Sequence, residues 1–362
     1  LLKAFYLFCG CAALSVSTVA APLDVFLTAT PEVVSPKGYL EIGSDHMNGT
    51  LDVFHVRESD PLTSGTKAGD YRGAYVTGGL RVGEGKWITG GLWQRTLSST
   101  SDTFNYTSWQ LSGLYRFAQS DGKWPAMAMR ISGWGSGASA TESTTAVVVP
   151  GARLNTVKVT EPSDRQVQAD WVGTWSLSPS SDVSVNVGVG RTQLSYGGLT
   201  ATTTRNGCDY NVVFNGNNIY GTLIPPCSAT GGVIQQFYDS SGDYGVDVAS
   251  EIAWRGTFFQ GGVNGRWQRG PWTFMAGYLL HVVKREAVDN ILNARGNKSF
   301  TQNHNITLQV NYQLRPQLTV FARGQLSSNL FFNDIPVTYN SSTADRFDSK
   351  YTLFTLGLRA DF

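Results

Sequence analysis

Arginine is the residue type whose placement could do most chemistry in this chain. Arg81, Arg116, Arg130, Arg255, Arg266, Arg323 and Arg359 fall at positions of one parity within segments that alternate apolar and polar residues, and Glu41, Asp170, Glu251 and Asp361 fall on the same face. A guanidinium stays charged at any relevant pH and grips a carboxylate or phosphate through two parallel hydrogen bonds. Seven bases against four acids leave a surplus of three, so a narrow passage lined this way favours anions. The competing arrangement is mutual neutralisation, in which each arginine bridges to Glu41, Asp170, Glu251 or Asp361 on a neighbouring segment. Arg81, Arg116, Arg266 and Arg359 also lie near segment ends, where long basic side chains reach toward lipid phosphates. Arg95 fits either face, because its segment reads in either phase.

Other chemistry is thinner. Four histidines, His46, His55, His281 and His304, and abundant serine allow a base and a nucleophile, but no Gly-x-Ser-x-Gly elbow occurs. His281 beside Asp289 or Asn290 is the best that spacing offers, and an enzyme is not expected. Cys208 and Cys227 are close in sequence within an exported chain, which predicts a disulfide. Without a nearby histidine pair they make a poor zinc site, and no cofactor is implied. Beyond the first twenty residues 27 basic and 27 acidic residues remain, since Lys3 is removed from the 28. That balance offers no field for nucleic acid.

The elements that must position these residues are strands. Lys3, the apolar run from Ala4 to Val16 and the small residues Thr18-Val19-Ala20 have the order of a secretory signal, with removal expected after Ala20. Past Val16 no apolar run is long enough for a membrane helix. From Tyr39 onward the pattern has period two, most clearly in Asn305-Ile306-Thr307-Leu308-Gln309-Val310-Asn311-Tyr312, where every second residue is apolar. Twelve such strands are read, at about 37–44, 70–82, 86–97, 104–117, 123–137, 166–177, 183–197, 246–267, 272–287, 303–314, 318–331 and 350–362. The eighth needs a bulge near Phe258-Phe259 to hold both Arg255 and Arg266 on the inner face. A further hairpin at Leu51 to Arg57 would raise the count to fourteen.

Tight turns such as Gly83-Glu84-Gly85, Arg269-Gly270-Pro271 and Arg315-Pro316-Gln317 alternate with long polar loops at about 45–69, 138–165, 198–245, 288–302 and 332–349. Trp87, Phe117, Trp124, Trp267 and Trp272 gather beside the turns as an interfacial belt, and the last strand ends in Phe362. On these features residues 37–362 resemble the outer-membrane β-barrels of Gram-negative bacteria: all-β, transmembrane and antiparallel, with short periplasmic turns and long extracellular loops. The resemblance implies a multi-pass barrel among outer-membrane lipid and lipopolysaccharide, inserted by the barrel-assembly machinery through the strand ending in Phe362. The arginine-lined face is similar to that of small twelve-stranded channels that take up acidic oligosaccharides, which implies passive diffusion of small hydrophilic, anionic solutes. The alternatives are a plugged structural or adhesive surface barrel with binding loops, and a barrel lipid hydrolase. A soluble sandwich disagrees with Val183, Val185, Val187 and Val189, which put apolar side chains on an outer face. Residues 21–36, with Pro22, Pro31 and Pro36, read as a periplasmic lead-in too short for a plug domain.

Overall fold

Strands with one oily and one wet face bury both only by closing on themselves in a bilayer, where open edges leave backbone groups unpaired. The protein, seen in a computed structural model, does this. The structure describes residues 24–33, 35–47, 70–98, 103–143, 147–149, 152–227, 233–329, 336–341, 344 and 350–362. The export signal expected at residues 1–20, the hairpin at Leu51 to Arg57, and His55 lie outside the described residues.

In chain order the strands are β1 (Gly38–Met47), β2 (Asp70–Gly83), β3 (Lys86–Ser98), β4 (Thr103–Ala118), β5 (Ala126–Gly137), β6 (Ala140–Ser143), β7 (Val147–Val149), β8 (Ala152–Thr160), β9 (Ser163–Ser178), β10 (Ser181–Ser195), β11 (Gly198–Arg205), β12 (Cys208–Asn215), β13 (Asn218–Ile224), β14 (Gln236–Ser240), β15 (Arg255–Arg269), β16 (Trp272–Arg285), β17 (Gln302–Arg315), β18 (Leu318–Ser327) and β19 (Tyr351–Asp361). Twelve of them, β1 to β5, β9, β10 and β15 to β19, form one closed antiparallel barrel sealed by β1 pairing with β19. These are the twelve read from the sequence, most to within a few residues. The eighth begins at Arg255, because the stretch before it folds as a loop carrying the short helix α1 (Val248–Ile252).

Register explains several departures from the parity reading. The pairing of β10 with β15 runs unbroken from Ser181 opposite Trp267 to Gln193 opposite Arg255, so the expected bulge at Phe258-Phe259 is absent. The irregularities instead sit beside the tight turns, at Arg81/Gly83, Arg116/Ala118, Ser181/Asp182 and Gln313/Arg315. Outward positions carry an apolar band, with Ile42, Val76, Leu92, Ile131, Val187, Ile306, Leu308 and Leu356 all exposed. Phe117, Trp124, Trp267 and Trp272 are exposed at the turn end as expected, whereas Trp87 points inward and is buried. One turn is held by Asp121, whose carboxylate accepts from the N–H groups of Trp124 and Lys123; these bonds hold its pKa below the usual range.

The loops read as irregular at 138–165 and 198–245 build a second sheet at the loop end, ordered β14-β13-β12-β11-β8-β6 with β7 also on β8. Its hairpins use residues suited to positive φ: Asn206 and Gly207 stand at 52° and 77°, and Gly216 at 58°. Cys208 and Cys227 form the expected disulfide, with Cα atoms 5.0 Å apart, beside a core of Ala201, Tyr210, Val212 and Ile219. Closing 19 residues in this way is worth about 3 kcal/mol in the chain-entropy account.

Leu308 stands midway along β17 on the outer face. Leu308→Arg should therefore lower barrel stability by about 2–4 kcal/mol, the cost of a cation at bilayer mid-depth. Urea unfolding in lipid vesicles measures this, with Thr307→Ser on the inner face as the near-silent control.

Candidate functional site in the barrel lumen

The wet faces of the strands meet inside the barrel, and chain from outside the strands enters the lumen at both ends. At the loop end, Tyr71, Tyr106, Trp134, Leu194, Phe258 and Val283 point inward from the strands. They pack against Trp254, Phe300, Tyr339, Ala344 and two residues of α2 (Val288–Ala294), Val288 and Leu292. Trp254 Nε1 donates to Tyr339 O at 2.8 Å, and Arg285 joins Asp289 Oδ1 at 2.7 Å and Phe300 O at 2.9 Å, fastening the loops across the mouth.

At the turn end the lumen holds residues 24–33, part of the stretch expected as a periplasmic lead-in. Leu27 and Ala29 pack against Trp87, Leu114, Ala126, Ala128 and Val172. Ala29 N donates to Thr174 Oγ1 at 2.9 Å, and Asn264 Nδ2 donates to Leu27 O at 3.0 Å. Sequence reading missed this because the segment has no period-two stretch long enough for a strand. Its apolar Val25, Leu27 and Ala29, spaced by two, were the available signal. Beside the segment a cavity of about 540 Å³ reaches from Pro271 and Pro316 at the turns up to Asp45, Gln325 and Thr355.

The arginines divide by parity and by partner. Arg130, buried, donates to Asp170 at 2.9 Å and to Asp24 at 2.5 Å. Asp170 also accepts from Gln260 Nε2 at 3.2 Å and from Gln168. Arg116 pairs with Glu32, and Arg266 with Asp182 at 2.5 Å. Arg323 lies 3.5 Å from Glu41 and donates to Gln309 at 2.6 Å. Arg359 lies 3.9 Å from Glu41, 3.0 Å from Asp361, and over the ring of Tyr39. Arg81 sits at the turn-end rim, exposed, with its Nε donating to Gly83 O at 3.3 Å.

Two expected lining residues are elsewhere. Arg255 is exposed on the outer face at the loop end of β15, since unbroken alternation that puts Arg266 inside must put Arg255 outside. Glu251 is not on a strand: it lies in α1, where it takes Arg295 at 2.5 Å and Ser341, joining two loops of the outer cap. Hydrogen bonding to Glu251 raises the pKa of Arg295. Arg95, ambiguous from sequence, is inward and buried.

Charge balance follows. Inside, Arg81, Arg95, Arg116, Arg130, Arg266, Arg285, Arg323 and Arg359 meet Asp24, Glu32, Glu41, Asp45, Asp164, Asp170, Asp182, Asp289 and Asp361. Among the described residues, and counting Arg81 at the rim, these eight bases and nine acids show no surplus of cations. The histidine pairing raised by spacing is not assembled: His281 is inward with its ring stacked on Phe258, Asp289 is bound to Arg285, and Asn290 is exposed. His304 faces outward against Tyr278 Oη at 2.8 Å, and His46 bonds Ser44 at 2.9 Å.

No family model matches the sequence, and no curated protein does. Among solved structures the chain is similar to the translocator domain of the autotransporter NalP from Neisseria meningitidis, at 9% identity over 90% of this chain and 88% of that one, with a TM-score of 0.47. It is also similar to the NanC porin, at 8% identity over 89% and 100% with a TM-score of 0.40, and to the CymD monoaromatic hydrocarbon channel, at 10% over 96% and 95% with a TM-score of 0.41.

The Arg130–Asp170 pair is buried between β5 and β9. Arg130→Met strands the Asp170 carboxylate and should cost about 3–5 kcal/mol in urea unfolding, most of it recovered in the Arg130→Met/Asp170→Leu double variant.

Proposed function

We propose that the protein is an outer-membrane channel for small hydrophilic solutes that is closed at rest. The observation that carries this reading is the unsatisfied polarity of the inner wall. The side-chain amide of Asn186, Asn305 Nδ2, Thr307 Oγ1 and Ser132 Oγ are buried and make no hydrogen bond to the described protein. Buried amides and hydroxyls are stable only with partners, and partners that are not protein are water or a polar solute. The cavity of about 540 Å³ continues that wall. What fills the lumen is not strand but other chain: residues 24–33 below and the loops holding α2 and Tyr339 above.

The apolar outer band sets the barrel in lipid, with its tight turns in the periplasm and the second sheet outside among lipopolysaccharide. An export signal at residues 1–20 and assembly through the strand ending in Phe362 fit that placement. Because the lumenal arginines are paired, any anion preference must arise when a partner leaves.

A second reading is a surface barrel that binds through its head. It is favoured by the disulfide-tied sheet, which exposes Tyr220 and Tyr238 at a ring separation of 5.2 Å.

Conductance of the refolded full chain in a planar bilayer separates the two. Leu292→Ser with Tyr339→Ser loosens the outer seal, each truncation removing about 2–5 kcal/mol of packing. Rare openings in the parent and at least about tenfold more open time in the variant are expected. Silence in both, with the barrel folded, favours the surface barrel.

A further inference from the structure

Residues 24–33 meet the barrel through three kinds of contact. The apolar one is small, Val25, Leu27 and Ala29 buried inside the barrel, and hydrogen bonds to Thr174 and Asn264 accompany it. The ionic one is specific: Asp24 lies on Arg130 and Glu32 on Arg116, near opposite ends of the segment. Arg116 is opposite Ala128 across β4 and β5, so Arg116 and Arg130 are diagonal neighbours on one face, roughly 7–8 Å apart. Both guanidinium groups point into the lumen, and the groups they hold are two carboxylates from a strandless stretch of chain.

We infer that residues 24–33 are an internal ligand, whose Asp24 and Glu32 fill on Arg130 and Arg116 a two-guanidinium site for the carboxylates of a small dianionic solute, and that such a solute displaces the segment. The inference rests on the channel reading above and gives it a solute class.

Three observations support it. The occupants seen at both arginines are carboxylates, so the site is shaped for that group and satisfied by it. The side chain of Asp24 is 40% exposed while that of Arg130 is 5% exposed, so a solute in the adjoining cavity can reach the carboxylate to be replaced without unpacking the wall. Finally, the local charge changes sign. With the segment in place Arg116 and Arg130 face Asp24, Glu32 and Asp170; with it gone they face Asp170 alone. The lumen then becomes locally positive, the condition for anion preference in a narrow pore. Arg130 keeps its wall partner Asp170 in both states, whereas Arg116 gives up Glu32 and is the guanidinium left for the incoming carboxylate.

The test uses the full chain refolded in lipid vesicles and planar bilayers, with folding checked by heat-modifiable gel mobility. Chymotrypsin cleavage after Phe26 reports release of the segment. Asp24→Asn with Glu32→Gln should speed cleavage by about tenfold or more, as expected for two lost charge-assisted hydrogen bonds, and, with the outer seal loosened by Leu292→Ser and Tyr339→Ser in all bilayer recordings, should produce openings with an anion-biased reversal potential. Glutarate should speed cleavage of the parent, xylose and potassium chloride of equal ionic strength should not, and Arg116→Gln should abolish the glutarate response. A folded double variant as resistant as the parent, or a parent indifferent to glutarate, overturns the inference. Cleavage that answers to glutarate while the bilayer stays silent leaves the carboxylate site standing and removes the channel reading. Openings in the double variant without faster cleavage retain the channel and remove the displaceable segment.

Discussion

Pairing of β1 with β19, from Tyr39 opposite Asp361 to His46 opposite Phe354, is the contact on which the rest of this structure depends. In hydrocarbon an unpaired backbone N–H or C=O costs several kcal/mol with no water to relieve it. Twelve strands are tolerable there only as a closed ladder. Closure fixes the parity of every barrel residue, because a strand paired on both sides cannot turn its faces over. Leu308 is thereby in lipid and Thr307 in the lumen, and the lumen becomes a confined volume whose polar groups must find partners within it.

That confinement accounts for the crowd of ionic pairs. Arginines brought inside by parity lie beside carboxylates brought inside by the same rule, Arg130 by Asp170 and Arg266 by Asp182. Where the wall supplies no acid, another part of the chain does: Glu32 reaches Arg116 from the segment within the barrel, and Asp289 reaches Arg285 from α2. A barrel of this width is partly filled by its own side chains. Here it is also filled by chain from beyond the strands, at one end by an apolar cluster of aromatic rings and at the other by residues 24–33.

The second sheet draws on different physics. Outside the bilayer water can satisfy an edge, so β6 to β8 and β11 to β14 need not close. Loops from two neighbouring hairpins instead pair through β8 and β11, and Cys208–Cys227 ties the outer strands to a small core. Asn206-Gly207 and Gly216-Asn217 are the residue pairs of the two-residue hairpin loops, and they stood in the sequence as readable signals. The flanking residues were polar enough that the region read as loop.

From the sequence alone one could obtain the class of fold, the twelve barrel strands, the alternation of tight turns and long loops, the disulfide, and the inward parity of Arg116, Arg130, Arg266, Arg323 and Arg359. All are local: period two, turn residues and cysteine spacing lie within a few residues or a single loop. Arg255 and Glu251 escaped, since one depended on a bulge that only cross-strand register could deny, and the other on where a loop ended and β15 began. Glu41, Asp170 and Asp361 were named as acids for the arginines, but which arginine each takes, and the part played by Asp24, Glu32 and Asp182, escaped for a stronger reason. Asp24 and Arg130 are 106 positions apart, and Arg323 and Glu41 are 282 apart. No spacing rule reaches so far. Whether an inward arginine is a bare charge in a pore or half of a buried pair is decided by barrel closure, which brings distant strands and the segment threaded between them within hydrogen-bonding distance.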